Sequence, residues 1–82
     1  MQTGLLWFDS DPARSLSAKA ADAARRYREK FGVAPNTCYV NLVALGGHEQ
    51  VLALQPIGGG ELHLLPAANI LPNHFWVGVE DG

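Results

Sequence analysis

The sequence predicts an α+β fold of two layers, one amphipathic helix packed on a four- to five-stranded mixed or antiparallel sheet, in the order β-α-β-β-β-β. Three observations carry this. A single helical apolar period runs through residues 16–31, the chain after it is made of β-forming runs between glycine and proline turns, and a short β-rich run precedes the helix. With 82 residues, 48% hydrophobic and 17% charged, the composition is that of a globular protein with room for one core, so residues 1–82 form a single small domain. Folding a chain of this size buries only about 63% of its surface, which leaves stability marginal unless a partner chain, a metal or disulfides help.

Each element has its own signal. Leu5 to Phe8 reads as the first strand. Leu16, Ala20, Ala23, Ala24, Tyr27 and Phe31 form one stripe on a helical wheel, narrow and alanine-rich in its middle. Ser15 is in position to cap this helix, with Asp11-Pro12 as an alternative earlier start; Gly32 supplies a left-handed stop and Pro35 blocks a restart. Thr37 to Leu45 predicts a central strand, with Cys38, Val40, Leu42 and Ala44 on one face and Tyr39, Asn41, Val43 and Leu45 on the other, covered on both sides.

Gly46-Gly47 with His48-Glu49-Gln50 predicts a hairpin loop into a return strand from Val51 to Ile57, whose Pro56 marks an edge or a bulge. Gly58-Gly59-Gly60 is then a turn before a short strand, Glu61 to Leu65. Pro66 to His74 reads as an ordered loop with a brief strand at Asn69 to Leu71, and Phe75 to Val79 as the last strand. Adjacent, parallel first and second strands would require a right-handed crossover.

One helix cannot cover both faces of such a sheet. The second face, with Tyr39, Val43, Trp76 and some of Leu52, Leu54 and Leu65 as its candidate residues, must meet solvent, another chain or a ligand, and an apolar face of that kind marks an interaction surface. The six basic residues all fall between Arg14 and Lys30, while residues 31–82 hold only acids among the charged types. Such asymmetry is one signature of nucleic-acid binding. On the wheel, however, Asp22 and Glu29 occupy the middle of the solvent face. Lys19, Arg26 and Lys30 line one flank and Arg25 and Arg28 the other, with Asp22–Arg26 and Arg25–Glu29 as expected ion pairs, so no continuous phosphate-tracking stripe results.

No catalytic constellation is recognisable. Cys38 and the three histidines, His48, His63 and His74, match no compact ligand spacing, so neither a metal nor a cofactor is expected. Glu61 and His63 share one strand face but are a common chance pair. Cys38 sits in an apolar strand and reads as a small buried group. Asp9-Ser10-Asp11 precedes the helix, where such residues act as caps, and the glycine strings lack any phosphate-binding pattern. Leu71-Pro72-Asn73-His74-Phe75-Trp76 is the most unusual string, joining a proline turn to an amide, an imidazole and two large aromatics. The N-terminal stretch lacks a basic region ahead of an apolar one, no run approaches the length of a membrane helix, and the lone thiol fits a reducing compartment, so a cytoplasmic protein without membrane association is expected.

Two stretches, Tyr27-Arg28-Glu29-Lys30-Phe31-Gly32 leading to Pro35-Asn36-Thr37-Cys38-Tyr39-Val40, and Leu71 to Glu80, resemble segments of short, uncharacterised bacterial proteins of similar length. The resemblance covers about a quarter of the chain and implies a bacterial origin and a small independent domain; it implies no activity, cofactor or partner. The residues themselves lead to the expectation of a non-catalytic interaction module. It would be a homo-oligomer, with a dimer favoured, that uses the uncovered sheet face, with Tyr39, Asn73, His74 and Trp76 on the contact surface. A foreign protein partner is a further option. The alternative is a small-ligand or nucleic-acid binder that combines the Asn73–Trp76 turn with anion contacts from Arg25, Arg26 and Arg28.

Overall fold

Alanine sets how closely the helix sits on the sheet. In the computed structural model, which describes residues 3–54 and 60–80, Ala20, Ala23 and Ala24 are fully buried at the middle of α1 (Leu16–Phe31). The helix starts where Ser15 Oγ accepts the Ala18 N–H at 3.1 Å and ends at Gly32, whose left-handed φ of 79° lets its N–H bond Arg28 O. Ser15, not Asp11-Pro12, is therefore the start of the helix. Asp9 and Asp11 instead accept the N–H groups of Asp11 and Ala13 and shape the loop before it. Arg14 bonds Asp22 and Asp9 and so ties that loop to the helix.

The strands are β1 (Gly4–Phe8), β2 (Thr37–Asn41), β3 (Gln50–Ala53), β4 (Glu61–Ala67) and β5 (His74–Gly78), in the spatial order β1-β5-β2-β4-β3. The sheet is mixed: β2 and β4 are parallel and the other three pairings are antiparallel. The expected class and element order are as observed. Beneath α1, Cys38, Val40, Leu62, Leu64, Phe75 and Val77 point into one core, joined by Leu54 and Leu45 and flanked by Leu5, Trp7, Leu16 and Leu52.

Several sequence expectations are corrected by this arrangement. The strand expected over Thr37–Leu45 stops at Asn41, because the Asn41 side-chain oxygen accepts the Val43 N–H at 3.0 Å and turns the chain. Val43 is then 86% exposed in the following turns instead of lying on the sheet, while Leu45 folds back into the core. β2 is a central strand, yet among the described residues no second layer covers the face carrying Tyr39. The segment after Gly46-Gly47 does not return against β2. It becomes the edge strand β3, which pairs with β4, and β4 separates it from β2. Pro56, Ile57, Gly58 and Gly59 lie outside the described residues.

β4 runs on past Leu65 to Ala67, and it tolerates Pro66 because β3 pairing has already ended at Leu64. Residues 68–70 turn the chain, with the Ile70 N–H bonded to Ala67 O, so the brief strand expected at Asn69 to Leu71 is absent. The last strand begins at His74, one residue before the expected start. The first two strands are parallel to each other but not adjacent, since β5 is inserted between them.

Lys19 was expected on the solvent flank and is 8% exposed. It lines a hollow with Leu16, Val40, Ala44, Asn73 and Phe75, where its aliphatic stem covers the core. The ion pairs also shift by one residue, forming as Asp22–Arg25 and Arg26–Glu29 at i,i+3.

Candidate functional site

Strand alternation sends Leu5, Trp7, Cys38, Val40, Phe75 and Val77 toward α1, and therefore sends their neighbours to the other side. Register aligns that other side into rows. Leu6 lies opposite Trp76, Trp76 opposite Tyr39 and Tyr39 opposite Leu65, a hydrophobic and aromatic band across four strands. Phe8 lies opposite His74, with ring centroids 4.8 Å apart and planes tilted by 55°.

The turn between β4 and β5 leans over this face. Asn41 Nδ2 donates to Ile70 O at 2.8 Å and holds it there. Two shallow hollows result, one of about 230 Å³ among Tyr39, Ala67, Asn69, Ile70 and Trp76, the other of about 170 Å³ among Leu6, Asn69, Ile70, Leu71 and His74. Both are below the ~300 Å³ at which small-molecule pockets begin. They are grooves in a surface. Around them Leu6 is 57%, Phe8 56% and Leu71 66% exposed, a concentration of large apolar side chains that isolated surface residues do not explain.

Around Trp76 the polar groups are held, while Glu61 and His63 stand exposed on the β4 side of the same face. His74 Nδ1 lies 2.9 Å from Pro72 O, and since a carbonyl only accepts, that nitrogen is the donor of the bond. Tyr39 donates its hydroxyl proton to Glu80 Oε2 at 3.2 Å; desolvation first, and the Glu80 carboxylate second, push the phenol above its ordinary value, so it stays neutral. No Lys or Arg lies in any of the five strands.

Of the expected contact residues, Tyr39, His74 and Trp76 share the uncovered face. Asn73 does not. It sits in the turn at φ 66°, accepts the Asp9 N–H through its carbonyl, and lines the Lys19 hollow on the helix side. Arg25 and Arg26 are paired with Asp22 and Glu29 on α1, in the layer opposite Trp76. The fold therefore does not bring the turn aromatics and the basic flank into one surface. Among the described residues no three His, Cys, Asp or Glu side chains group as metal ligands, and no helix is long and apolar enough to cross a membrane. Cys38 is buried, and desolvation pushes its thiol up to about 12, which removes it as a nucleophile.

Sequence reasoning missed Leu6 and Phe8, and also Trp7. Trp7 lines an open cleft of about 350 Å³ between β1 and α1 with Leu5, Arg26, Glu29 and Lys30, and the Arg26 guanidinium stands 5.9 Å from its ring centroid. The signal was available in Gly4-Leu5-Leu6-Trp7-Phe8, five residues without a charge or a proline. Comparison with family models, with curated proteins and with solved structures finds no match.

Proposed function

We propose that this chain is a non-catalytic interaction module that associates with a second copy of itself through the uncovered sheet face, at its β1 and β5 side. One observation carries the reading: Leu6, Phe8 and Leu71, each more than half exposed, stand together on this face, with Trp76 opposite Leu6 and His74 opposite Phe8, and the strands beneath them hold no Lys or Arg. A single 16-residue helix buries the other face, and a domain this small gains most from a second chain.

The test is native mass spectrometry with light scattering across micromolar concentrations. The expected species has twice the 8.8 kDa mass of the chain. Leu6→Asp should return it to a monomer with unchanged circular dichroism, because the Leu6 side chain points out of the core. A wild-type chain that stays monomeric throughout, or a Leu6→Asp protein that still dimerises, overturns the reading.

A further inference from the structure

We infer that the two copies join edge to edge, β1 pairing antiparallel with β1 of the second copy about a two-fold axis at Leu6, so that one sheet runs through both. This rests on the self-association proposed above and narrows its contact to the β1 margin of that face, where Leu6, Phe8 and the Trp76 indole over Gly4 stand, with Tyr39 outside the contact.

Among the described residues, β1 has β5 on one side and no strand on the other. Backbone phase follows from the bond between the Asp9 N–H and Asn73 O, 3.0 Å, which continues the β1–β5 ladder by one residue. In an antiparallel ladder alternate residues bond the neighbour. Leu5 and Trp7 therefore bond β5, and the N–H and C=O groups of Gly4, Leu6 and Phe8 face outward. Edge strands are normally blunted by charges, prolines or bulges. This one has none of them.

The outward residues are spaced evenly around Leu6. A two-fold axis there sets Leu6 against Leu6 and Gly4 against Phe8, and every outward donor and acceptor of the strand finds a partner. Phe8 of the second copy then falls beside Gly4, where there is no side chain to displace and where the Trp76 indole lies. Pairing β1 with the opposite edge, β3, would be head-to-tail and would not close at two copies; the two-fold arrangement does.

A five-residue edge alone falls short of the ~1,200 Å² that stable interfaces bury. Side chains extend it on both faces of the sheet. On one face stand Leu6 and Phe8. On the other is the cleft flank of α1, where Glu29 is half exposed and Lys30 has no carboxylate partner among the described residues. A flank with both signs complements itself across a two-fold, Glu29 of one copy answering Lys30 of the other.

Amide hydrogen exchange by NMR, on wild-type protein at dimeric and at monomeric concentrations, reads the geometry directly. The Leu6 and Phe8 amides should exchange at least about tenfold more slowly in the dimer. A dimer whose Leu6 and Phe8 amides exchange as fast as the monomer's overturns the edge pairing and leaves self-association standing. A chain monomeric at every concentration overturns both. Independently, Leu6→Cys should cross-link to a covalent dimer under mild oxidation, since directly opposed residues stand about 5.5 Å apart at Cα, within disulfide reach. Buried Cys38 stays out of the reaction. Failure of a dimeric Leu6→Cys protein to cross-link overturns the two-fold at Leu6.

Discussion

Gly4 lies directly under the indole of Trp76: a Cβ at this position would stand 2.8 Å from both Cε2 and Cζ2 and 3.1 Å from Val77 O. The strand backbone at Gly4 makes no demand for glycine, so what excludes a side chain here is the ring. Gly4→Ala should cost about 1–3 kcal/mol, as overpacking does, measured by urea unfolding followed by circular dichroism. A neutral or stabilising result would mean that the indole rests there without being held.

Asn36 ties the chain's last described residues to the sheet. Its Nδ2 donates to Glu80 O at 3.0 Å and its Oδ1 accepts the Glu80 N–H at 2.8 Å, so one side chain bonds Glu80 as a neighbouring strand would. Its backbone bonds Gly78 on one side and His63 on the other. Asn36→Ala should lower stability by about 1–3 kcal/mol, three part-buried hydrogen bonds being lost, the one accepted from Thr37 Oγ1 included. Asn36→Asp should not rescue it, because a carboxylate cannot donate to the Glu80 carbonyl; equal stability of Asn36→Asp and wild type by the same unfolding titration would contradict this.

Burial of Cys38 gives stability a pH dependence of known sign. The thiol's ordinary value of 9.0 is raised to about 12 by desolvation, so the folded chain keeps its proton where the unfolded chain has lost it. Its contribution is whole below pH 9 and declines as pH rises from 9 toward 12, with a slope approaching 1.4 kcal/mol per pH unit. Cys38→Ala should flatten that decline relative to wild type in unfolding titrations run between pH 8 and about 10.5. Native Cys38 should also resist a thiol reagent that modifies it fully in urea.

Lys19 works through its stem. Its side chain is buried, lines one hollow with Val40 and Phe75 and makes no ion pair or hydrogen bond among the described residues, so Lys19→Met should leave stability within about 1 kcal/mol of wild type or raise it. Lys19→Ala should lower it. Thermal unfolding of the pair separates packing from charge; matched losses in both variants would assign the role to the ammonium group.

What could be read from the sequence was local. The helix, its Ser15 cap and its Gly32 stop depend on neighbours within four residues, and all three are found where periodicity and capping chemistry put them. The end of β2 was not legible, since Leu42 to Leu45 keep the alternating pattern and only the Asn41 side chain, bonding Val43, breaks the strand. Pairing was hidden as well. That β5 enters between β1 and β2, and that β4 separates β3 from β2, are facts about residues tens of positions apart. The contact face was half legible for the same reason. Tyr39, His74 and Trp76 declare themselves by type, whereas Leu6 and Phe8 matter because β1 lies at the margin of the sheet, which strand order alone decides.

The insertion of β5 also sets a timetable for synthesis. β1 leaves the ribosome well before β5, its strand neighbour among the described residues, since about 65 residues separate them. Until His74–Gly78 emerge, Leu5 and Trp7 have no strand beside them and α1 lacks β5 as its main seat. A nascent chain halted before residue 74 therefore holds an uncharged, sticky pentapeptide open to any extended segment nearby. β5 is the keystone of the fold, and its release closes the inner edge of β1 while leaving the outer edge open.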